Sequence, residues 1–222
     1  MQLKYINTHS HKIDNEADCI TIYNYCVGEL NNNYNLFSAG IHPWFIKKDK
    51  IEEQFAELKI ISRQKNCLAI GECGLDKIKG AEHKLQEQVF IKQIQLAKDF
   101  NKPLIIHNVQ FFQRILEICA QQKFSGKLIF HGFNSKIQNS EKIFSNQSIY
   151  FSFGKSILNQ NSNATQLIKQ LQKTKFLLET DDADFSIQEI YNKTAQLLSI
   201  NLNELMLQMN QNFNFVFNYG ND

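Results

Sequence analysis

A short apolar run rich in β-formers, followed by a longer amphipathic stretch, recurs along the whole chain, and this alternation restricts the fold more than any other feature. The apolar runs predict strands at Leu3–Thr8, Cys19–Tyr25, Leu36–Ile41, Cys67–Gly71, Pro103–His107, Lys127–His131, Ser148–Ser152 and Lys175–Glu179. Apolar spacing near 3.6 predicts helices over Ile51–Lys65, Glu82–Asn101, Gln110–Gln122, Asn139–Phe144 and Ala164–Lys173. Two closing helices are expected at Gln188–Leu198 and Asn203–Phe217, the second capped by Asn201 or Asn203. Strands alternating with helices predict a parallel α/β protein, either a (β/α)₈ TIM-like barrel or a doubly wound sheet. A barrel typically takes ~250 residues, so 222 residues make a compact one. Only His11 to Asp18 separate the first two predicted strands, too few for an ordinary crossover. The first crossover helix is therefore expected to be missing or reduced to a turn.

Composition narrows the class further. With 43% hydrophobic residues the chain is globular rather than disordered. Its 24 Lys+Arg against 22 Asp+Glu leave a net charge of +2, which excludes a nucleic-acid binder working by bulk electrostatics but not a local basic rim. No apolar run approaches the ~18 residues of a membrane span, and Met1-Gln2-Leu3-Lys4-Tyr5 has no secretory pattern, so a cytoplasmic location is expected. The odd set Cys19, Cys26, Cys67, Cys73 and Cys119, with no C-x-x-C pair, fits reduced and mostly buried thiols. Only Pro43 and Pro103 occur, and no Pro/Gly/Ser linker divides the chain, so residues 1–222 are read as one domain. Asn31-Asn32-Asn33 is read as a loop.

Chemistry-bearing residues collect at the ends of the predicted strands. His9-Ser10-His11 closes the first, and period-2 geometry puts both imidazoles on one face. Glu72 directly follows a buried apolar run, where a carboxylate is costly unless paired, hydrogen-bonded or bound to metal. His107, His131 and Asp181 end or follow three further runs in the same way. Any one of these reads as a structural hydrogen-bonder. Together, in a barrel, they converge on the C-terminal mouth, where barrel active sites sit. Histidines with two carboxylates suit one or two divalent ions, Zn²⁺, Mn²⁺ or Co²⁺, with Mg²⁺ for an oxygen-rich half. Gly71-x-x-Gly74 lacks the third glycine of a dinucleotide loop, and Gly154-Lys155-Ser156 lacks the first glycine of a P-loop, the place being held by Ile149. His83 reads as solvated, and Cys73 as a small buried side chain.

The motifs, taken in order, resemble the TatD-like metal-dependent hydrolases, deoxyribonucleases among the amidohydrolase-type barrels. The resemblance runs through Thr8-His9-Ser10-His11, Gly40-Ile41-His42-Pro43, Ala69 to Asp76, Gln86 to Ala97 and Lys102 to His107. It continues through Ile129-Phe130-His131-Gly132-Phe133, Ser152-Phe153-Gly154, Leu177 to Asp181, and Asn212 followed by Phe217. It implies one ion held by His9, His11, Glu72 and Asp181, with Glu72 bridging to a second held by His107 and His131. His42 would lie in the pocket as a substrate contact or behind a ligand. Four departures stand out: Asn7 replaces an aspartate, no arginine occurs in His107-Asn108-Val109-Gln110, the proline after the strand-eight aspartate is replaced in Asp181-Asp182-Ala183-Asp184, and Trp44 replaces a histidine. The implied activity is metal-dependent phosphodiester hydrolysis, with 3′–5′ exonuclease action on single-stranded DNA as its finer form. In it Asp181 and Glu72 are catalytic, and Lys77, Lys79, Lys136 and Lys155 offer phosphate contacts. Trp44 and Phe45 offer a surface for an unpaired base. The alternatives are hydrolysis of an amide, ester or small phosphoester and, less favoured, a non-catalytic partner subunit. A monomer is expected.

Overall fold

The computed structural model describes residues 3–12, 17–28, 34–137 and 140–220. In chain order they form β1 (Tyr5–Ser10), β2 (Cys19–Cys26), β3 (Phe37–Gly40), α1 (Ile51–Ile61), β4 (Cys67–Asp76), α2 (His83–Asp99), β5 (Leu104–Val109) and α3 (Phe112–Gln121). There follow β6 (Leu128–Phe130), α4 (Ser140–Ser145), β7 (Ile149–Phe153), α5 (Asn163–Ile168), β8 (Phe176–Leu178), α6 (Ile187–Leu198) and α7 (Leu202–Phe217). The strands make one eight-stranded sheet in chain order, β1 to β8. The registers of β1–β2, β3–β4, β4–β5 and β7–β8 are all parallel. A parallel bridge between Ser10 and Asp181 brings the segment after β8 back to β1. Sequential parallel neighbours with the last returning to the first are the topology of the (β/α)₈ barrel.

Residues 13–16 lie outside the described residues, and with them the middle of the expected reduced crossover; its described flanks carry no helix. Asn31-Asn32-Asn33 also lies outside them. The β2–β3 connection shows no helix among its described residues either, which the strand spacing did not announce.

Two compact units are distinguished, Met1–Tyr23 with Phe130–Asp222, and Asn24–Ile129. In the first, Tyr191 of α6 holds β1: its hydroxyl accepts from the Ile6 N–H at 3.0 Å and donates to the Ile6 carbonyl at 3.2 Å. Helix α6 starts at a capping box in which Ser186 and Glu189 each satisfy the other's backbone N–H. Asn201, not Asn203, caps α7 by accepting from the Glu204 N–H. Along α7, Leu205, Met209, Phe213 and Val216 recur every three or four residues and are all buried. The second unit is built on β3, β4 and β5. Nine of the ten residues of β4 are buried, as in a strand covered on both faces.

The strand prediction ended β4 too early. It runs past Gly71 to Asp76, so Glu72 lies inside the strand instead of behind it. Glycines explain the extension: Gly71 (φ +151°) and Gly74 (φ +135°) sit in backbone conformations that favour glycine, and a Cβ on either would collide with a β5 carbonyl, of Ile105 or His107. The register slips between Ile70 and Cys73, so β4 bends here while staying paired to β5.

Candidate metal centre

In the first unit, two backbone bonds fasten Asp181 to the end of β1. Its N–H donates to the His9 carbonyl and its own carbonyl accepts from the His11 N–H, both at 3.0 Å. Asn7 secures the residue before it, accepting from the Thr180 N–H at 3.0 Å and donating to the Thr180 hydroxyl at 2.9 Å. With φ at +56°, Asp181 is left-handed. Its Oδ1 lies 3.4 Å from His11 Nε2 and 3.6 Å from His9 Nε2. His131, after β6, sets its ring centre 4.5 Å from that of His9, the two planes tilted by 43°. Behind it, the wholly buried Glu179 turns Oε1 to the Gly132 N–H at 2.6 Å and to His131 Nδ1 at 3.7 Å. Its Oε2 is buried without a hydrogen bond. Leaving a charged oxygen so costs at least ~1–3 kcal/mol, a cost that cationic charge nearby would offset.

In the second unit, Glu72 points Oε1 towards two histidines, 3.8 Å from His107 Nδ1 and 3.9 Å from His42 Nε2. His107 is oriented from behind: its Nε2 lies 3.0 Å from Asp76 Oδ2. The same oxygen accepts from Trp44 Nε1 at 2.7 Å, while Asp76 Oδ1 accepts from the Ile78 and Lys79 N–H groups at 2.7 and 2.9 Å. Burial works against ionisation of Asp76, yet the bonds from His107, Ile78, Trp44 and Lys79 outweigh it and bring the carboxyl down to about 2. A charged Asp76 puts the His107 proton on Nε2 and turns the Nδ1 lone pair towards Glu72. Two buried glutamines of α2 fix the surrounding loops. Gln93 binds both the N–H and the carbonyl of Ile41, before His42, and Gln86 binds both backbone groups of Asp76.

Each unit therefore offers three ligand atoms within 4.8 Å of one another, from His9, His11 and Asp181 in the first and from His42, Glu72 and His107 in the second. The hydrogen bonds sort the second set. His42 Nδ1 accepts the Trp44 N–H at 3.1 Å, so neutral His42 carries its proton on Nε2 and faces Glu72 as a donor. That suits a place behind the ligands, as the motif resemblance implied. Imidazoles with carboxylates fit Zn²⁺, Mn²⁺ or Co²⁺. Cys73 stays out of the chemistry: it is fully buried, and burial, with Cys119 and Glu72 beside it, pushes its thiol well above the usual range.

Sequence reasoning missed the supporting residues. Asp76 was quoted only as the end of a motif, and its signal was a second carboxylate on the run that carries Glu72. Replacing it tests the arrangement. Asp76→Asn must set an amide N–H₂ against donors on one side or the other, so at least one pair of bonds is lost. Affinity for Zn²⁺ or Mn²⁺ is expected to fall roughly 10–100-fold, the usual cost of removing a residue behind a ligand. Calorimetric titration giving an unchanged dissociation constant would remove Asp76 from the centre.

A sequence profile described as TatD related DNase matches residues 24–218. The chain belongs to the TatD-related DNase family. An uncharacterised metal-dependent hydrolase of Methanocaldococcus jannaschii is 35% identical over 117 residues, 52% of this chain and 45% of that protein. Human deoxyribonuclease TATDN3 is 30% identical over 168 residues, 69% of this chain and 60% of that protein. The chain spans 45%, 62% and 61% of three curated relatives, each named an uncharacterised metal-dependent hydrolase. A solved TatD homologue of Escherichia coli K12 shares the fold at 20% identity, with a TM-score of 0.78 over 97% of this chain and 98% of that one. The TatD resemblance and the barrel are thus borne out. In the segment His107-Asn108-Val109-Gln110, where no arginine occurs, Asn108 turns its Oδ1 to the Phe111 N–H at 3.0 Å and serves the turn into α3.

Proposed function

We propose that this TatD-family chain is a metal-dependent phosphodiesterase that shortens single-stranded DNA, residues 1–222 acting as one barrel domain. The observation that carries the reading is the convergence of His9 and His11 on Asp181, with Glu72 and His107 forming a second donor set. In this reading His9, His11, Glu72 and Asp181 hold one divalent ion, and Glu72, His107 and His131 a second. Divalent ions held by these residues would supply Lewis acidity there, lowering the pKa of a bound water towards neutrality and neutralising charge on the phosphoryl oxygens. The carboxylate of Asp181, 28% exposed, is the proton acceptor on the solvent side, whereas His9 is 1% exposed and serves only to hold.

Substrate contacts follow from the loops beside His42. Trp44 and Phe45 are 38% and 52% exposed, and Phe45 lies 5.4 Å from the His42 ring, ring centre to ring centre. The Lys79 ammonium covers the Trp44 indole at 3.7 Å, which joins a cation to an aromatic surface as unpaired nucleotides require. Lys77 is exposed beside it. Lys155, by contrast, is engaged by Asp182 at 3.1 Å. The absence of arginine at 107–110 favours amide or ester hydrolysis as the second reading. No helix among the described residues is long and apolar enough to cross a membrane; cytoplasmic location and a monomeric state belong to the proposal.

Metal analysis of the purified protein, with a substrate panel in Mn²⁺ and Zn²⁺, tests the reading. Bound divalent ions and 3′-end trimming of single-stranded DNA faster than duplex, both abolished by chelation, are expected. Cleavage confined to amides or carboxylic esters would overturn the phosphodiester assignment.

A further inference from the structure

Asn24, on β2, is fully buried beside Glu72 and makes two bonds to it. Its Oδ1 accepts from the Glu72 N–H at 3.0 Å, and its Nδ2 donates to Glu72 Oε2 at 2.8 Å. Oδ1 also accepts from the Ser38 hydroxyl at 3.3 Å. Two donors on one side settle which end of the amide is oxygen: turning it over would set N–H₂ against a backbone N–H. The amide nitrogen must therefore face the carboxylate. With Oε2 gripped, the free rotation of the Glu72 carboxyl is lost, and Oε1 is the oxygen presented to His107 Nδ1 and His42 Nε2.

We infer that Asn24 is the positioning residue of Glu72, a neutral clamp that holds one carboxylate oxygen so that the other faces His107 and His42. The inference rests on the proposed metal-binding role of Glu72. A neutral donor suits the task. A lysine or arginine here would compete with the ion for the carboxylate, and an apolar side chain would leave a buried charge without its bond. Asn24 does not touch substrate; it acts through Glu72 alone. The same grip secures the backbone of β4 just after Gly71, where the register slips.

Asn24→Asp separates clamp from scaffold. Aspartate has nearly the same shape and keeps an acceptor for the Glu72 N–H and the Ser38 hydroxyl, but sets an oxygen against Glu72 Oε2 in place of the donor. Titration of the whole protein with Mn²⁺ and with Zn²⁺ is expected to show roughly 10–100-fold weaker binding, with far-ultraviolet circular dichroism unchanged. Wild-type affinity in the aspartate variant would overturn the clamp. A double-mutant cycle covers a variant that fails to fold. Asn24→Ala should weaken metal binding in the wild-type background and have no further effect beside Glu72→Gln. Equal losses in both backgrounds would show a merely structural residue and overturn the clamp. A wild-type protein that takes up neither ion would overturn the metal reading itself, and the clamp with it.

Discussion

Replacing Glu72 by alanine is expected to abolish hydrolysis while the chain stays folded. Glu72 supplies the carboxylate of the donor set formed with His42 and His107, and its side chain is 4% exposed. Without it the remaining imidazoles carry no charge to offset that of an ion, and in the proposed arrangement both ions lose a ligand. The fold loses much less. The substitution removes a buried charge together with its desolvation cost, and leaves the Asn24 amide without its acceptor, a penalty of ~1–3 kcal/mol. The apolar residues flanking it on β4 and β5, Ile70, Leu75, Leu104 and Ile106, remain buried at 0–1% exposure. A folded spectrum, reduced metal content and no measurable turnover are the expected result. Unchanged turnover with unchanged metal content would remove Glu72 from the centre.

What the chain disclosed beforehand follows from which residues carry local signals. The strand ends were legible because His9, His107 and His131 each close an apolar run, and a polar residue at that boundary stands out against its neighbours. The capping of α7 by Asn201 or Asn203 was equally local, a matter of residues three apart, whereas the Ser186 capping box of α6 went unread. The extent of β4 was not legible. Gly71 and Gly74 look like strand breakers in one dimension; their purpose is close approach to β5, a partner some thirty residues away. The supporting residues were hidden for the same reason. Asn24 is an unremarked polar residue among β-formers until the fold brings it to Glu72, 48 positions on. Gln86 and Gln93 lie two turns apart on the same face of α2 and read as ordinary helix polar residues, although both amides are buried on loop backbone. Residues that hold a site act at long sequence separation, and sequence pattern reports only short separations.

Asp181→Asn should lose roughly 10²–10⁴-fold in kcat, the usual contribution of a general base. The substitution is well suited to isolating that role. Asparagine is among the few residues at ease in left-handed backbone, so the φ of +56° and the two backbone bonds that fasten this position to β1 are kept. One coordinating oxygen is kept as well, whereas the capacity to take a proton at neutral pH is lost. Metal content should accordingly fall less than in a His9→Ala, His11→Ala double variant, which removes both imidazoles of this donor set. The neighbouring carboxylates are internal controls of the same charge. Asp182 is 68% exposed and paired with Lys155, and Asp184 is 98% exposed and paired with Lys12. Such surface pairs contribute little to stability, and neither carboxylate belongs to the histidine cluster, so asparagine at either place should leave kcat within a few-fold of wild type. The contrast is between one carboxylate facing two imidazoles and two others facing lysines in solvent. A fully active Asp181→Asn enzyme would take the base away from Asp181. An inactive Asp182→Asn enzyme would move it to a side chain that the loop holds against Lys155, and the reading of the His9–His11–Asp181 set as the reacting half would fall with it.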